Sequence, residues 1–492
     1  MAGAPRAATT VPSVAAGHPA TVAAAAEVLT AGGNAFDAAV AAGFAAAVAE
    51  PVLSSLGGGG FLLARPRDGD EVLFDFFVDT PGRGIPITVQ PRMVPVTLRF
   101  GAADQVFHVG HGSVAVPGCL AGYLHVHGRL GRLALDRVVA PAVRLAREGV
   151  ALGAGQASVA RLVDPILTLT AAGRRRFHPG GAPLTDDAVV TDPQLGDLIE
   201  AIGAGRVTGF DDPAIASRIE EVGRADGGLL TAADLAAYSV HERDPLVVSY
   251  RGARLATNPP PSSGATLIAR ALDAFARGAP APDLDDPEAL VRLVAALATM
   301  TRDPDAGPTA TAGTTHVSIV DADGNLAAMT TSNGSGSGVH LGDTGVLANN
   351  ICGEEDLLPV GEDRLPAGVR VGSMMAPSLL DRPGRPTVVF GSGGSERIRS
   401  ALAQVVVRLV DEDRDLADAV LAPRVHLDTS GTVQVEPTWS DAAVAALADR
   451  WPVNRWSVSD LYFGGVHAVA TDGQHVGDPR RGGASRRLDA VT

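Results

Sequence analysis

Amide chemistry needs a nucleophile, a base to take its proton and donors for the oxyanion. One residue of this chain, Thr314, can supply the first two. It sits in Gly313-Thr314-Thr315-His316-Val317-Ser318-Ile319-Val320-Asp321-Ala322-Asp323-Gly324-Asn325. A cut before Thr314 would put a hydroxyl and a new α-amino group on one residue, the arrangement of an N-terminal threonine nucleophile. A terminal amine has a pKa of about 7.7–8.0, so part of it is an unprotonated base at neutral pH. Gly393-Gly394-Ser395 offers the donors, because backbone N–H groups at a helix N-terminus attract developing negative charge. Plain strand-to-helix punctuation accounts for that turn equally well. No Gly-x-Ser-x-Gly elbow occurs, which argues against an α/β-hydrolase.

The elements that must position these groups are legible around them. Alternation at Thr315, Val317 and Ile319 predicts a strand, Asp323-Gly324-Asn325 a tight turn, and Leu326 to Thr331 a returning strand. The run from Arg302 to Gly313 is poor in core-forming residues and reads as a linker able to swing away once severed. Val388 to Gly391 reads as a strand, and Arg397 to Leu409 as the helix after the glycine turn. Further upstream, helices are predicted from about Pro19 to Leu29 and Ala35 to Val48. The second is so alanine-rich that it must pack closely against its neighbours.

Gly57-Gly58-Gly59-Gly60 lets another segment approach closely. With no Gly-Lys-Ser/Thr after it, a phosphate loop is disfavoured. Phe61 to Ala64 and Val72 to Phe77 read as paired strands, His111 to Gly118 as a strand ending in a turn, and Leu120 to Glu148 as helical. Thr231-Ala232-Ala233-Asp234 has the form of a capping box. Leu246 to Tyr250 and Ala253 to Thr257 read as strands, Ala265 to Phe275 and Pro287 to Met300 as helices.

The chain has 492 residues, of which 46% are hydrophobic and 19% charged, the composition of a compact globular protein. A net charge of −15 without a basic stripe, and few aromatic residues, argue against nucleic acid as a partner. The longest uncharged apolar run, Ala38 to Ala49, is far shorter than the ~18–20 residues that span a bilayer, so no membrane is expected. No leucine-rich leader precedes Pro12, and Cys119 and Cys352 are too few for a disulfide scaffold, so a cytoplasmic location is expected.

Several stretches, taken in order, resemble the γ-glutamyltransferase (glutathione hydrolase) family over nearly the full length. They are Gly32-Gly33-Asn34-Ala35-Phe36-Asp37-Ala38-Ala39, Glu50-Pro51-Val52-Leu53-Ser54 through Phe61, and Val114-Ala115-Val116-Pro117-Gly118. Pro259-Pro260-Pro261-Ser262-Ser263-Gly264, Thr314-Thr315-His316 and Ala422-Pro423-Arg424 complete the set. The resemblance implies an α+β fold: an Ntn-hydrolase αββα four-layer sandwich, one domain built from two subunits of a single precursor. The cut would leave a large subunit, 1–313, ending in the linker 301–313, and a small catalytic subunit, 314–492. Thr314 would attack a γ-glutamyl amide such as glutathione, and water or an acceptor amine or peptide would release the acyl group.

By resemblance, Thr331 is the residue that hydrogen-bonds the nucleophile if one residue is deleted; without a gap it is Ser332. Asn333 and Glu354 fall where the family holds the donor's α-amino and α-carboxylate ends, with Glu355 competing with Glu354. Ser373 matches one of two carboxylate-binding serines, the other being replaced by Gly372. Gly394 falls on the oxyanion glycine pair, whose second position is Ser395, with Gly393 preceding it. No metal or organic cofactor is implied.

The departure lies at Asp75-Phe76-Phe77-Val78, where typical members read Asp-Phe-Arg-Glu and the arginine clamps the substrate carboxylate. Losing a bidentate cation is a large change. Either Arg83 or another arginine reaches in, or the substrate is not a standard γ-glutamyl compound. Two further readings therefore stand beside the first: an acylase of the same fold acting on a glutaryl or other acyl amide, and an uncleaved non-catalytic relative.

Overall fold

The computed structural model describes residues 10–100, 103–300, 309–310, 313–354 and 365–489. Thirteen strands form two stacked sheets. In chain order they are β1 (Ser13–Ala16), β2 (Gly59–Arg65), β3 (Val72–Phe76), β4 (His241–Arg243), β5 (Leu246–Tyr250), β6 (Ala253–Thr257) and β7 (Thr314–Val320). Then come β8 (Leu326–Ser332), β9 (Ser378–Asp381), β10 (Val388–Gly393), β11 (Gly465–Ala470), β12 (His475–Val476) and β13 (Ala484–Arg487). The first sheet runs β13-β1-β7-β8-β2-β3-β4 and the second β12-β11-β10-β9-β6-β5.

Helices α1 (Pro19–Thr30), α2 (Ala35–Ala49) and α3 (Cys119–Leu130) cover the outer face of the first sheet. Helices α4 (Gly264–Ala276) and α5 (Arg397–Val410) cover the outer face of the second. The layers are thus helix, sheet, sheet, helix, as the resemblance implied. Among the described residues no helix is long and apolar enough to cross a membrane.

Period-two alternation sorts the strands between two cores. Val317 and Ile319 of β7 and Ala327 and Met329 of β8 join the core under α1–α3. Val320, Leu326 and Ala328 join the core between the sheets. Because both faces are covered, β7 and β8 are buried along their whole length.

Helix α2 is the wall behind them. Asn34 caps it by accepting from the Phe36 and Asp37 amides, and Asp37 returns the bond to the Asn34 amide, 3.1 Å, a complete capping box. All fifteen of its residues are buried. Small side chains allow this: a Cβ at Gly43 would lie 2.5 Å from the Tyr123 ring.

The glycine run is likewise a packing device. A Cβ at Gly58 would strike the Ser332 carbonyl, and one at Gly60 would lie 2.5 Å from the Thr330 carbonyl, so β2 pairs with β8 at a separation larger side chains forbid. One expectation fails. Residues His111–Ser113 form a 3-10 turn, not a strand, and only Val116 makes a bridge, to Asp79. The Ser113 hydroxyl donates to the Gly110 carbonyl at 2.8 Å and holds the chain in that turn. The capping box at Thr231 is present with its aspartate variant, and both cysteines are free and buried.

Candidate active site

Thr314 is the first residue of β7 and is only 3% exposed. In the β7–β8 register it faces Ser332, while Thr315 faces Thr331. Alternation then puts Thr314 and Ser332 on the inter-sheet side and Thr315 and Thr331 on the helix side. The hydrogen bonds agree. Ser332 Oγ donates to the Gly313 carbonyl at 2.6 Å and accepts from the Gly334 amide at 3.1 Å. Thr331 Oγ1 instead meets Ser54 Oγ at 3.0 Å, on the far side of the strand. Of the two alternatives the ungapped one is the neighbour of Thr314: the register places Ser332 there, and Thr331 cannot turn to it without flipping β8.

The second sheet brings up the glycine turn. Strand β10 ends at Gly393, where a Cβ would strike the Thr314 carbonyl, so the turn lies directly against the Thr314 backbone. Gly394 has φ +125° and Ser395 φ +60°. A left-handed serine costs of order 1 kcal/mol relative to glycine and is held there by its surroundings. Strand and helix meet through this turn: the Arg397 amide donates to Gly394 O, and the Ile398 amide to Ser395 O. The backbone of Gly394 and Ser395 thus stands at the N-terminal end of α5, whose dipole favours negative charge.

Other expected residues gather at the same end of β8. Asn333 is 1% exposed, its Nδ2 is 3.5 Å from Ala348 O, and its Oδ1 is buried with no hydrogen-bond partner among the described residues. Glu354 is buried and close enough that a Cβ on Gly334 would lie 3.0 Å from its Oε1. Ser373 is buried; its hydroxyl accepts from the Met375 amide at 3.1 Å. Residues Thr309 and Ala310 pair with Gly372 and Ser373, so in the uncut chain the segment before Thr314 runs alongside Ser373. Glu355 lies outside the described residues.

Two arginines among the described residues bear on the question of a stand-in cation near Phe77. Phe77 is fully buried and stacks on Phe61, with ring centroids 5.6 Å apart. Arg370 is close by but committed: it donates to Asp75 Oδ1 and Asp79 Oδ1, each at 2.6 Å, and to the Asp75 and Ser239 carbonyls. The Arg83 side chain is exposed and lies 3.9 Å from Asp234.

Two sets of contacts escaped the sequence, one of them made by Glu50, which stands in a stretch that carries the resemblance. Arg481, near the C-terminus, donates from Nη1 to the Thr314 carbonyl at 3.3 Å. Burial, with Arg397 nearby, pulls its guanidinium down to about 10. Its run, Asp478-Pro479-Arg480-Arg481-Gly482-Gly483, carries no signal beyond a basic turn, and its partner is 167 residues away. Glu50 makes the other set. It ends α2 behind the strand, fully buried, accepting from Thr315 Oγ1 at 2.6 Å and Thr21 Oγ1 at 2.7 Å. Burial pushes its carboxyl up, against the pull of those two hydroxyls. Deeper between the sheets, His316 bonds Thr330 Oγ1 at 2.7 Å and Ser318 Oγ at 2.9 Å. Burial holds that ring well below the usual histidine range, so it is a neutral packing residue.

Comparison with known proteins places this arrangement. The profile of the gamma-glutamyltranspeptidase family matches residues 21–306 and 294–488. The chain is 31% identical to the acylase ACY 1 proenzyme of Pseudomonas sp. (strain V22), over 92% of this chain and 88% of that protein. It is 29% identical to the glutathione hydrolase proenzyme of Escherichia coli (strain K12), over 81% of this chain and 78% of that protein. Among solved structures, the cephalosporin acylase from Bacillus halodurans shares the fold, with a TM-score of 0.82 at 23% identity over 100% of this chain and 99% of that one. By family profile and by its full-length relatives, the chain belongs to the gamma-glutamyltranspeptidase family.

Proposed function

We propose that the chain cuts itself between Gly313 and Thr314 and then works as an N-terminal threonine hydrolase or acyltransferase. The observation that carries this reading is the 2.6 Å bond from the Ser332 hydroxyl to the Gly313 carbonyl, immediately before a buried threonine at the head of a strand. That bond polarises the carbonyl that Thr314 Oγ must attack. Attack shifts the acyl bond from nitrogen to oxygen, and water hydrolyses the resulting ester, leaving residues 1–313 and a free α-amine on Thr314.

In the mature enzyme the amine takes the hydroxyl proton as Thr314 Oγ attacks a substrate amide. The Gly394 and Ser395 backbone amides stabilise the oxyanion. The proton passes to the departing amine, and water or an acceptor amine releases the acyl group. A γ-glutamyl amide is the substrate this reading favours. The unpartnered, buried Asn333 Oδ1 suits an α-ammonium, and Glu354 comes close to Gly334, the next residue.

One observation favours a second substrate class. Phe77 is packed on Phe61, and Arg370 is held by two aspartates, so the wall beside Phe77 is apolar and suits a non-standard acyl group; the class to compare is glutaryl, which keeps the carboxylate and lacks only the α-amine. Comparing kcat/KM for γ-glutamyl-anilide and glutaryl-anilide on the cleaved protein separates the two. A higher value for γ-glutamyl is expected, and the reverse ratio establishes the acylase reading. A cleaved protein that turned over neither would contradict both.

A further inference from the structure

Arg481 has no part in the chemistry just described, yet it touches the residue at its centre. Its Nη1 donates to the Thr314 carbonyl at 3.3 Å. A Cβ on Gly393 would lie 3.3 Å from the same nitrogen, and one on Gly394 3.3 Å from Nη2. The stem packs over Gly465, where a Cβ would lie 2.8 Å from three of its carbons. Three glycines therefore make room for one guanidinium against the head of β7. Strand β1 pairs with β7 only from Val317 onward, and Arg481 takes the place of a strand partner beyond it.

Among the described residues the Arg481 guanidinium has no counter-ion, and its Nε is buried without a hydrogen-bond partner. The nearest carboxylate on its own turn, Asp478, is engaged by Arg424 at 2.6 Å and Arg480 at 3.2 Å. In a β-strand the N–H and C=O of one residue point to the same side. The carbonyl that Arg481 holds therefore shares its side with the Thr314 nitrogen, which becomes the α-amine once the preceding bond is cut.

We propose that Arg481 is a positioning residue that grips the Thr314 carbonyl and biases the adjacent α-amine toward its neutral, base form. This rests on the reading of Thr314 as an N-terminal nucleophile. A like charge disfavours the ammonium, so the amine titrates below its ordinary range of about 7.7–8.0.

The other charges around the head of β7 leave that bias standing. Arg397, on α5, is a second cation near Arg481. Burial pushes the Glu50 carboxyl behind the strand up toward its neutral form, and holds the His316 and His467 rings low and neutral. Glu396 beside the glycine turn is 3.5 Å from Arg399. Glu354 near Gly334 and Asp460 before Tyr462 oppose the bias, but neither forms an ion pair with Arg481 among the described residues.

The chain contains no lysine, so a processed protein has two primary amines, the start of each subunit, and mass spectrometry tells them apart. The test is the pH dependence of acylation of both amines in the cleaved wild type, alongside the acid limb of kcat/KM. The Thr314 amine is expected to titrate about one pH unit below the large-subunit amine. Arg481→Gln should move both the amine and the acid limb up by about that amount, and Arg481→Lys should restore them. A Thr314 amine that titrates with or above its control overturns the proposal, as does an Arg481→Gln profile that falls in height without shifting. If Arg481→Gln does not mature, the wild-type titration alone decides. A wild type that never cleaves overturns the parent reading instead.

Discussion

Thr314 and Thr315 are adjacent, both buried, and identical in side chain, yet the fold assigns them opposite work. Thr315 faces the helices and gives its hydroxyl to Glu50, closing a bridge to Thr21 on α1. Thr314 faces the second sheet, between the Ser332–Gly313 bond and the glycine turn. Their partners across the hairpin divide the same way, Thr331 with Ser54 and Ser332 with Gly313. On the proposed reading, chemistry is thus confined to one face of the hairpin and anchoring to the other. A threonine becomes a candidate nucleophile by the side on which the strand presents it.

Substitutions across the two faces should split accordingly. Thr314→Ala should abolish cleavage and lower turnover by at least about 10³-fold, read by denaturing electrophoresis and by anilide hydrolysis. Ser332→Ala removes a donor to the carbonyl under attack and should slow maturation about a hundredfold. Thr331→Val should leave the cleavage rate within about twofold while costing about 1 kcal/mol of stability. If Thr331→Val slowed maturation as much as Ser332→Ala, the division of faces would collapse. Thr315→Val leaves a buried carboxyl short of one donor and should cost about 2 kcal/mol in denaturant unfolding, with cleavage unchanged.

The smallest effect concerns pH. Because burial raises the Glu50 pKa in the folded state, its contribution is fully present below the unfolded value of about 4.3 and is lost as pH rises through the folded value. Glu50→Gln should therefore gain stability relative to wild type with rising pH, measured as the difference in Tm across that window. A constant difference would mean that Glu50 titrates normally.

The hairpin, the helices flanking it and the glycine run were legible because each carries a local signal: alternation, a capping residue, a stretch with no Cβ. The Asn34 cap and the Thr231 capping box were readable for the same reason. What escaped depends on register. A single-residue slip exchanges Thr331 for Ser332, and only the pairing with β7 decides between them. The contacts of Arg481 and Glu50 escaped because the partners are 167 and 265 residues away, a separation at which one sequence holds no pattern. The strand expected at His111 failed because the Ser113 hydroxyl, donating to the Gly110 carbonyl, holds His111–Ser113 in a 3-10 turn.

The central claim is that the Gly313–Thr314 bond is cut by the chain itself. Intact-mass measurement of the purified wild type, with N-terminal sequencing, tests it most directly. Two species are expected, one beginning at Thr314, with a single 492-residue species for Thr314→Ala. A wild type that remains one uncut chain under native conditions would contradict the account.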